Sequence, residues 1–210
     1  MNERYIKWYT PWLSRDFEIL VFGNGCGLPL IIFPTSGARY YENKDFGLVG
    51  SIAWYIDNGK VTVYCPDAID LESLYNKSIH PADRMKTYNA YENVIVRDVF
   101  DLARRECHSY RVAVSGASLG AYHAANIAFR HPDLVSHLIS LSGSFDISDF
   151  FDGYYDDNYY DNGFYDDGAA VAVVPGGVGG DASYCAQRYR SYDPASGTYL
   201  GYDGIRHPCP

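Results

Sequence analysis

Residues 111–130 read RVAVSGASLGAYHAANIAFR, and this stretch decides the fold. Residues 111–114 (RVAV) predict a strand. Residues 116–120 (GASLG) predict a tight turn with a glycine two positions either side of Ser118, and 119–130 predict a helix that is apolar nearly all round and ends at Pro132. A helix without a polar face is a buried one. Strand, glycine turn and buried helix in direct succession make a βα unit of an open α/β sheet.

The same alternation extends outward in both directions. Downstream, residues 138–141 (LISL) form one more apolar strand. Upstream, 17–22 (FEILVF) predict a strand, 23–27 (GNGCG) a turn, and 28–33 (LPLIIF) a strand apolar on both faces, as in a parallel sheet covered on both sides. Residues 46–56 predict a helix stopped at Gly59, and 61–65 (VTVYC) a β-branched strand closed by Pro66 and Asp67. Over 84–106, Met85, Tyr88, Tyr91, Ile95, Val99, Leu102 and Ala103 recur at helical spacing, with 80–83 leading in. The expectation is an α/β, mostly parallel sheet with helices on both faces and its site at the carboxyl ends of the strands. A sheet that stops near Leu141 leaves an edge and a layer of apolar surface exposed.

The turn carries chemistry as well as topology. Gly116-Ala117-Ser118-Leu119-Gly120 matches G-x-S-x-G between a strand and a helix, where a strained turn lifts a serine Oγ out at the top of the sheet. Acyl transfer from such a serine puts negative charge on the former carbonyl oxygen, which needs N–H donors. One is expected from the Leu119 backbone. The other is expected from the loop 34–37 (PTSG) after the 28–33 strand, Ser36 first and Thr35 second. A base is harder to find. His80 and His108 precede the serine, and His123, His131 and His137 follow too soon for an intervening strand and acid, so each is expected to be a surface or packing residue. Only His207 is late enough to serve, with Asp181, Asp193 or Asp203 as its acid.

Composition narrows the function further. Seventeen Lys and Arg against 26 Asp and Glu give a net charge of −9, the wrong sign for a phosphate backbone, so no nucleic-acid partner is expected. Eight of those aspartates lie in 146–167, so the rest of the 210-residue chain is near neutral. No apolar run exceeds six residues, against the roughly 20 of a membrane-spanning helix. The first sixteen residues hold no signal-type apolar region, which points to the cytoplasm. Cysteines 26, 65, 107, 185 and 209 have no metal-ligand spacing.

Residues 1 to about 158 resemble the esterase family of the α/β hydrolase superfamily. The resemblance is carried by IIFPTSGARYYE, VTVYCPDAIDLESLYN, HPADRMKTYNAYENVIVRDV, VSGASLGAYHAANIAFRHPDLVSHLISLSGSFD and DGYYDDN. It implies a carboxylic-ester hydrolase acting on a small-molecule ester through an acyl-enzyme on Ser118, with no metal and no organic cofactor, and with the loop 67–76 beside the site. Family members continue with strands that supply the acid and the histidine; this chain lacks those segments, so the fold is expected to be C-terminally truncated and the activity impaired.

Past residue 158 the character changes. Residues 159–182 run from Tyr/Asp-rich to Gly-rich without periodicity and are expected to be a linker; for the acidic stretch 146–167 a calcium loop at Asp152, Asp156, Asp157 and Asp161 is the alternative. Residues 183–210 recover aromatics and turn signals, suggesting a small irregular or hairpin-like tail. The stretch YCAQRYRSYDPASGTYLGYDGIRHPC, within 184–210, is similar to the C-terminal region of the lectin-like, immunoreactive 14 kDa protein family of bacteria. That similarity implies carbohydrate binding and association with the cell envelope. A Cys185–Cys209 disulfide would accord with that oxidising compartment. The alternative to an esterase is therefore a noncatalytic, lectin-like protein acting through its tail.

Overall fold

The computed structural model describes residues 1–147, 150, 193, 196, 198–200 and 206–208. The chain divides into two compact units, Met1–Asp157 and Asn158–Pro210. In the first, six strands form one sheet: β1 (Glu3–Thr10), β2 (Arg15–Phe22), β3 (Leu28–Phe33), β4 (Val61–Pro66), β5 (Val112–Ala117) and β6 (Val135–Leu141). Their spatial order is β1-β2-β4-β3-β5-β6. The pairs β4/β3, β3/β5 and β5/β6 are parallel, and β2 and β1 add antiparallel at one side. The sheet is thus mixed, with a parallel four-strand core.

Parallel neighbours need crossovers, and helices supply them. Three short helices, α1 (Glu42–Asp45), α2 (Leu48–Ser51) and α3 (Ala53–Asp57), join β3 to β4. A single helix over 46–56 is the expectation, but Gly47, in the left-handed region at φ 81°, separates α1 from α2. Between β4 and β5 runs one long helical rod, α4 (Pro81–Asn93), a π-helical segment Val94–Val99, and α5 (Phe100–Glu106). It begins three residues before the predicted start because Pro81 occupies the first turn and His80 Nδ1 accepts the Ala82 N–H as a cap. Helix α6 (Leu119–Arg130) joins β5 to β6.

The period of two in the central strands divides the core into two layers. Ile19, Val21, Ile31, Phe33, Tyr64, Val112 and Val114 face the rod and α6, meeting Tyr91, Val94, Ile95, Val99, Phe100, Ala124 and Ile127. Their neighbours Leu20, Phe22, Leu30, Ile32, Val63, Cys65 and Ala113 face Val49 and Ile56 on the other side. Continuous apolar strands are the consequence of burial on both faces.

Two further features depart from the sequence reading. Strand β1 is not among the expected strands, because its half-buried Arg4, Ile6 and Trp8 alternate with exposed Tyr5, Lys7 and Tyr9, and charge and aromatics fall on both faces. Among the described residues β6 is the other edge, and from His137 to Leu141 it is exposed. In the second unit β7 (Thr198–Leu200) and β8 (Arg206–Pro208) pair antiparallel, with Tyr199 opposite His207. Residues 159–182, expected to be a linker, the aspartates at 152, 156, 157 and 161, Asp181, Asp203, Cys185 and Cys209 lie outside the described residues. No described helix is long and apolar enough to cross a membrane.

Candidate active site

Ser118 stands between β5 and α6 at φ 55°, ψ −120°, a conformation that costs an L-residue of order 1–3 kcal/mol. The flanking glycines make it possible. A Cβ on Gly116 would come within 2.3 Å of the Gly120 carbonyl, and a Cβ on Gly120 within 2.5 Å of the Pro34 carbonyl oxygen and 2.7 Å of that of Phe33. Strand, helix and the end of β3 therefore touch backbone to backbone, and the loop 34–37 lies against the first turn of α6. The turn is tied from the other side as well. The Ser118 N–H donates to the Leu141 carbonyl (3.0 Å), and the Ser118 carbonyl accepts the Ser144 N–H (3.2 Å).

Leu119 is the first residue of α6, so its buried N–H has no partner within the helix and points out of the N-terminus with the positive end of the helix dipole. Ser36 is exposed in the loop opposite. Ser118 is half-buried, and among the described residues its side chain makes no hydrogen bond.

The five histidines of the first unit lie in other settings. His80 caps α4, His108 occupies a turn at φ 49°, His131 Nε2 bonds Glu92 Oε1 (2.8 Å) and His137 is exposed on β6 beside Ser136 Oγ (3.0 Å). His123 is 1% exposed, and both its ring nitrogens are used: Nε2 bonds Asp70 Oδ1 at 3.0 Å and Nδ1 bonds the Tyr88 hydroxyl at 2.9 Å. His207 lies on β8 of the second unit, and Asp193 Oδ2 accepts Ser196 Oγ in that same unit.

Sequence reasoning missed the polar network beneath the loop. Asp70, 2% exposed, takes the Gly37 N–H on Oδ2 (3.1 Å) while Oδ1 meets His123. Burial pushes the Tyr88 phenol up, so its O–H stays on and is available to His123 Nδ1. Asn126 Nδ2 approaches the Tyr88 oxygen at 3.5 Å. The loop is held a second time by Asp67, whose Oδ1 accepts Arg39 Nε (2.7 Å) and the Tyr40 N–H (3.2 Å). Burial raises the Asp67 carboxyl and Arg39 opposes that rise. The sequence signal for the network was a histidine and an asparagine, His123 and Asn126, on the largely apolar helix α6.

Cys65, at the end of β4, is buried and its thiol is pushed up to about 12, which leaves it protonated. A cleft of about 110 Å³ beside the loop is lined by Arg15, Arg39, Asp67, Asp70 and Glu72 among others, and Ser118 is not among them. Among the described residues no three His, Cys, Asp or Glu side chains gather as metal ligands would.

Known proteins resemble the two units separately. The family described as BA14K-like protein matches residues 181–210. The fold of the first unit is shared with an S-formylglutathione hydrolase of Staphylococcus aureus (16% identity, 74% of this chain and 65% of that one, TM-score 0.54). It is also shared with the fluorophosphonate-binding serine hydrolase F of the same organism (16%, 74% and 62%, TM-score 0.56). A CE1 ferulic acid esterase of Anaeromyces mucronatus aligns similarly (13%, 68% and 59%, TM-score 0.51). The chain spans about three fifths of the length of these structures. No curated protein matches the sequence. At such identities the likeness establishes the α/β hydrolase fold, while the BA14K-like match is confined to residues 181–210.

Proposed function

We propose that the chain is a serine carboxylic-ester hydrolase in which Ser118 is the nucleophile. The observation that carries this reading is the strained Ser118 backbone between Gly116 and Gly120, with the first N–H of α6 beside it and the loop 34–37 packed on that turn. Ser118 Oγ bonds to the ester carbonyl carbon and gives up its proton to a base. The oxyanion that results takes the N–H groups of Leu119 and Ser36, the alcohol leaves with that proton, and water then releases the acid from the acyl-serine. His207 is the residue we assign as base, as the histidine that chain order leaves for the role. The substrate is a small-molecule ester.

The test is hydrolysis of p-nitrophenyl acetate and butyrate by the full chain beside Ser118→Ala. Saturable turnover that falls by about 10³-fold or more in the variant is the expected result. Equal rates for the two proteins overturn the reading. Loss of turnover in His207→Ala with Ser118 intact supports that assignment, and unchanged turnover removes it.

The match at residues 181–210 favours a second reading, carbohydrate binding by the tail at the cell envelope. Glycan-array binding that vanishes on deleting 183–210 supports it; free thiols on both Cys185 and Cys209, found by alkylation and mass spectrometry, count against it.

A further inference from the structure

We infer that Asp70 is a positioning residue that sets the oxyanion loop through its bond to Gly37, and that His123 and Tyr88 exist in this fold to aim it. The inference rests on the hydrolase reading for its catalytic part and on geometry for the rest. Ser36, the assigned second donor, is exposed and precedes Gly37, whose backbone is in the left-handed region at φ 64°. A short exposed loop with such a residue samples other conformations unless something holds it, and an oxyanion donor works only when it is already in place. The Gly37 N–H is gripped by Asp70 Oδ2 at 3.1 Å, one residue from that donor.

Asp70 is in turn prevented from rotating away. Its second oxygen bonds His123 Nε2 at 3.0 Å inside the core, where the ring is enclosed by Phe33, Tyr88, Tyr91 and Tyr122. Both ring nitrogens of His123 are thereby engaged, Nε2 with Asp70 and Nδ1 with the Tyr88 hydroxyl, which burial keeps protonated. The chain of bonds runs from Tyr88 through His123 to Asp70 Oδ1, with the Gly37 N–H on the other carboxyl oxygen. His123 belongs to the same helix whose first N–H is the other oxyanion donor, so one buried pair holds the loop and the helix N-terminus in a common frame. The network accounts for two buried polar side chains, Asp70 and His123, that acyl transfer itself does not use.

The experiment compares the full-length wild type with Asp70→Ala and Asp70→Asn. Two measurements are made: hydrolysis of p-nitrophenyl acetate, and amide hydrogen exchange of peptides covering 34–38, β5 and α6. Asn keeps an acceptor for the Gly37 N–H and a polar group for His123, whereas Ala keeps neither. The expected result for Asp70→Ala is a fall in kcat of about 10- to 100-fold with KM within about threefold, and exchange at 34–38 at least about tenfold faster while β5 is unchanged. Asp70→Asn is expected to stay within about threefold of wild type in both. Loop exchange in Asp70→Ala equal to wild type overturns the inference, as does faster loop exchange with unchanged kcat. Should Asp70→Ala fail to fold, an Asp70→Asn protein with kcat reduced as KM rises in proportion also overturns it. A wild type without Ser118-dependent turnover defeats the hydrolase reading instead, and loop exchange alone then decides whether Asp70 orders the loop.

Discussion

Ser118 and its two glycines form a strained arrangement whose cost is measurable. Ser118 adopts φ 55° with ψ −120°, which costs glycine less than any L-residue. Ser118→Gly is therefore expected to unfold at a higher temperature than Ser118→Ala, by about 1 kcal/mol in stability, with hydrolysis absent from both; differential scanning calorimetry measures it. Gly120→Ala should act in the opposite sense, because its Cβ would come 2.5 Å from the Pro34 oxygen, backbone against backbone. Destabilisation of about 1–3 kcal/mol is expected in urea unfolding. Tyr88→Phe deletes one hydroxyl and leaves His123 Nδ1 buried without its partner, so a loss of about 1–3 kcal/mol is expected there too. The G-x-S-x-G pattern was readable because close approach demands glycine locally, whereas nothing near Asp70 in the chain indicates what it bonds.

At the scale of elements, the outer strand β1 is fastened to the rod by a bidentate pair, Arg4 Nη1 and Nη2 to Glu106 Oε1 and Oε2 at 3.0 and 2.7 Å. Tyr64 adds its hydroxyl to Glu106 Oε2 at 2.9 Å. The hydrogen bonds from Arg4 hold the Glu106 carboxyl below its ordinary 4.5. A carboxyl lowered on folding adds stability that is present above 4.5 and is lost as pH falls through the folded value. Arg4→Ala should thus cost about 1 kcal/mol at neutral pH, a figure kept small by solvent screening, and almost nothing once Glu106 is protonated; urea titrations across that range check it. The rod itself was visible from its apolar spacing, but its π-helical segment was not. Val94, Ile95 and Val99 are buried in that segment as they would be in an α-helix, and the extra residue per turn leaves no mark in the pattern.

Across the whole molecule, the described sheet ends in a strand whose Leu138, Ile139 and Leu141 are 36, 46 and 38% exposed. An apolar strand at the edge of the described sheet invites a second copy to pair there. Sedimentation equilibrium of the full chain is expected to show concentration-dependent association, reduced in Ile139→Lys; a monomer at all concentrations would remove this expectation. By itself the sequence determined the α/β alternation, the double-sided burial of the central strands and the serine turn, since each is written in spacings of two to four residues that local geometry imposes. Tertiary structure alone decided that β2 pairs with β4 and that β1 extends the sheet. It alone brought Asp70 to His123, 53 residues away, and to Gly37, 33 residues away. The reason is physical: a hydrogen bond between distant residues depends on which strands the chain crosses over, and that order arises from burying two apolar layers at once rather than from any local stretch.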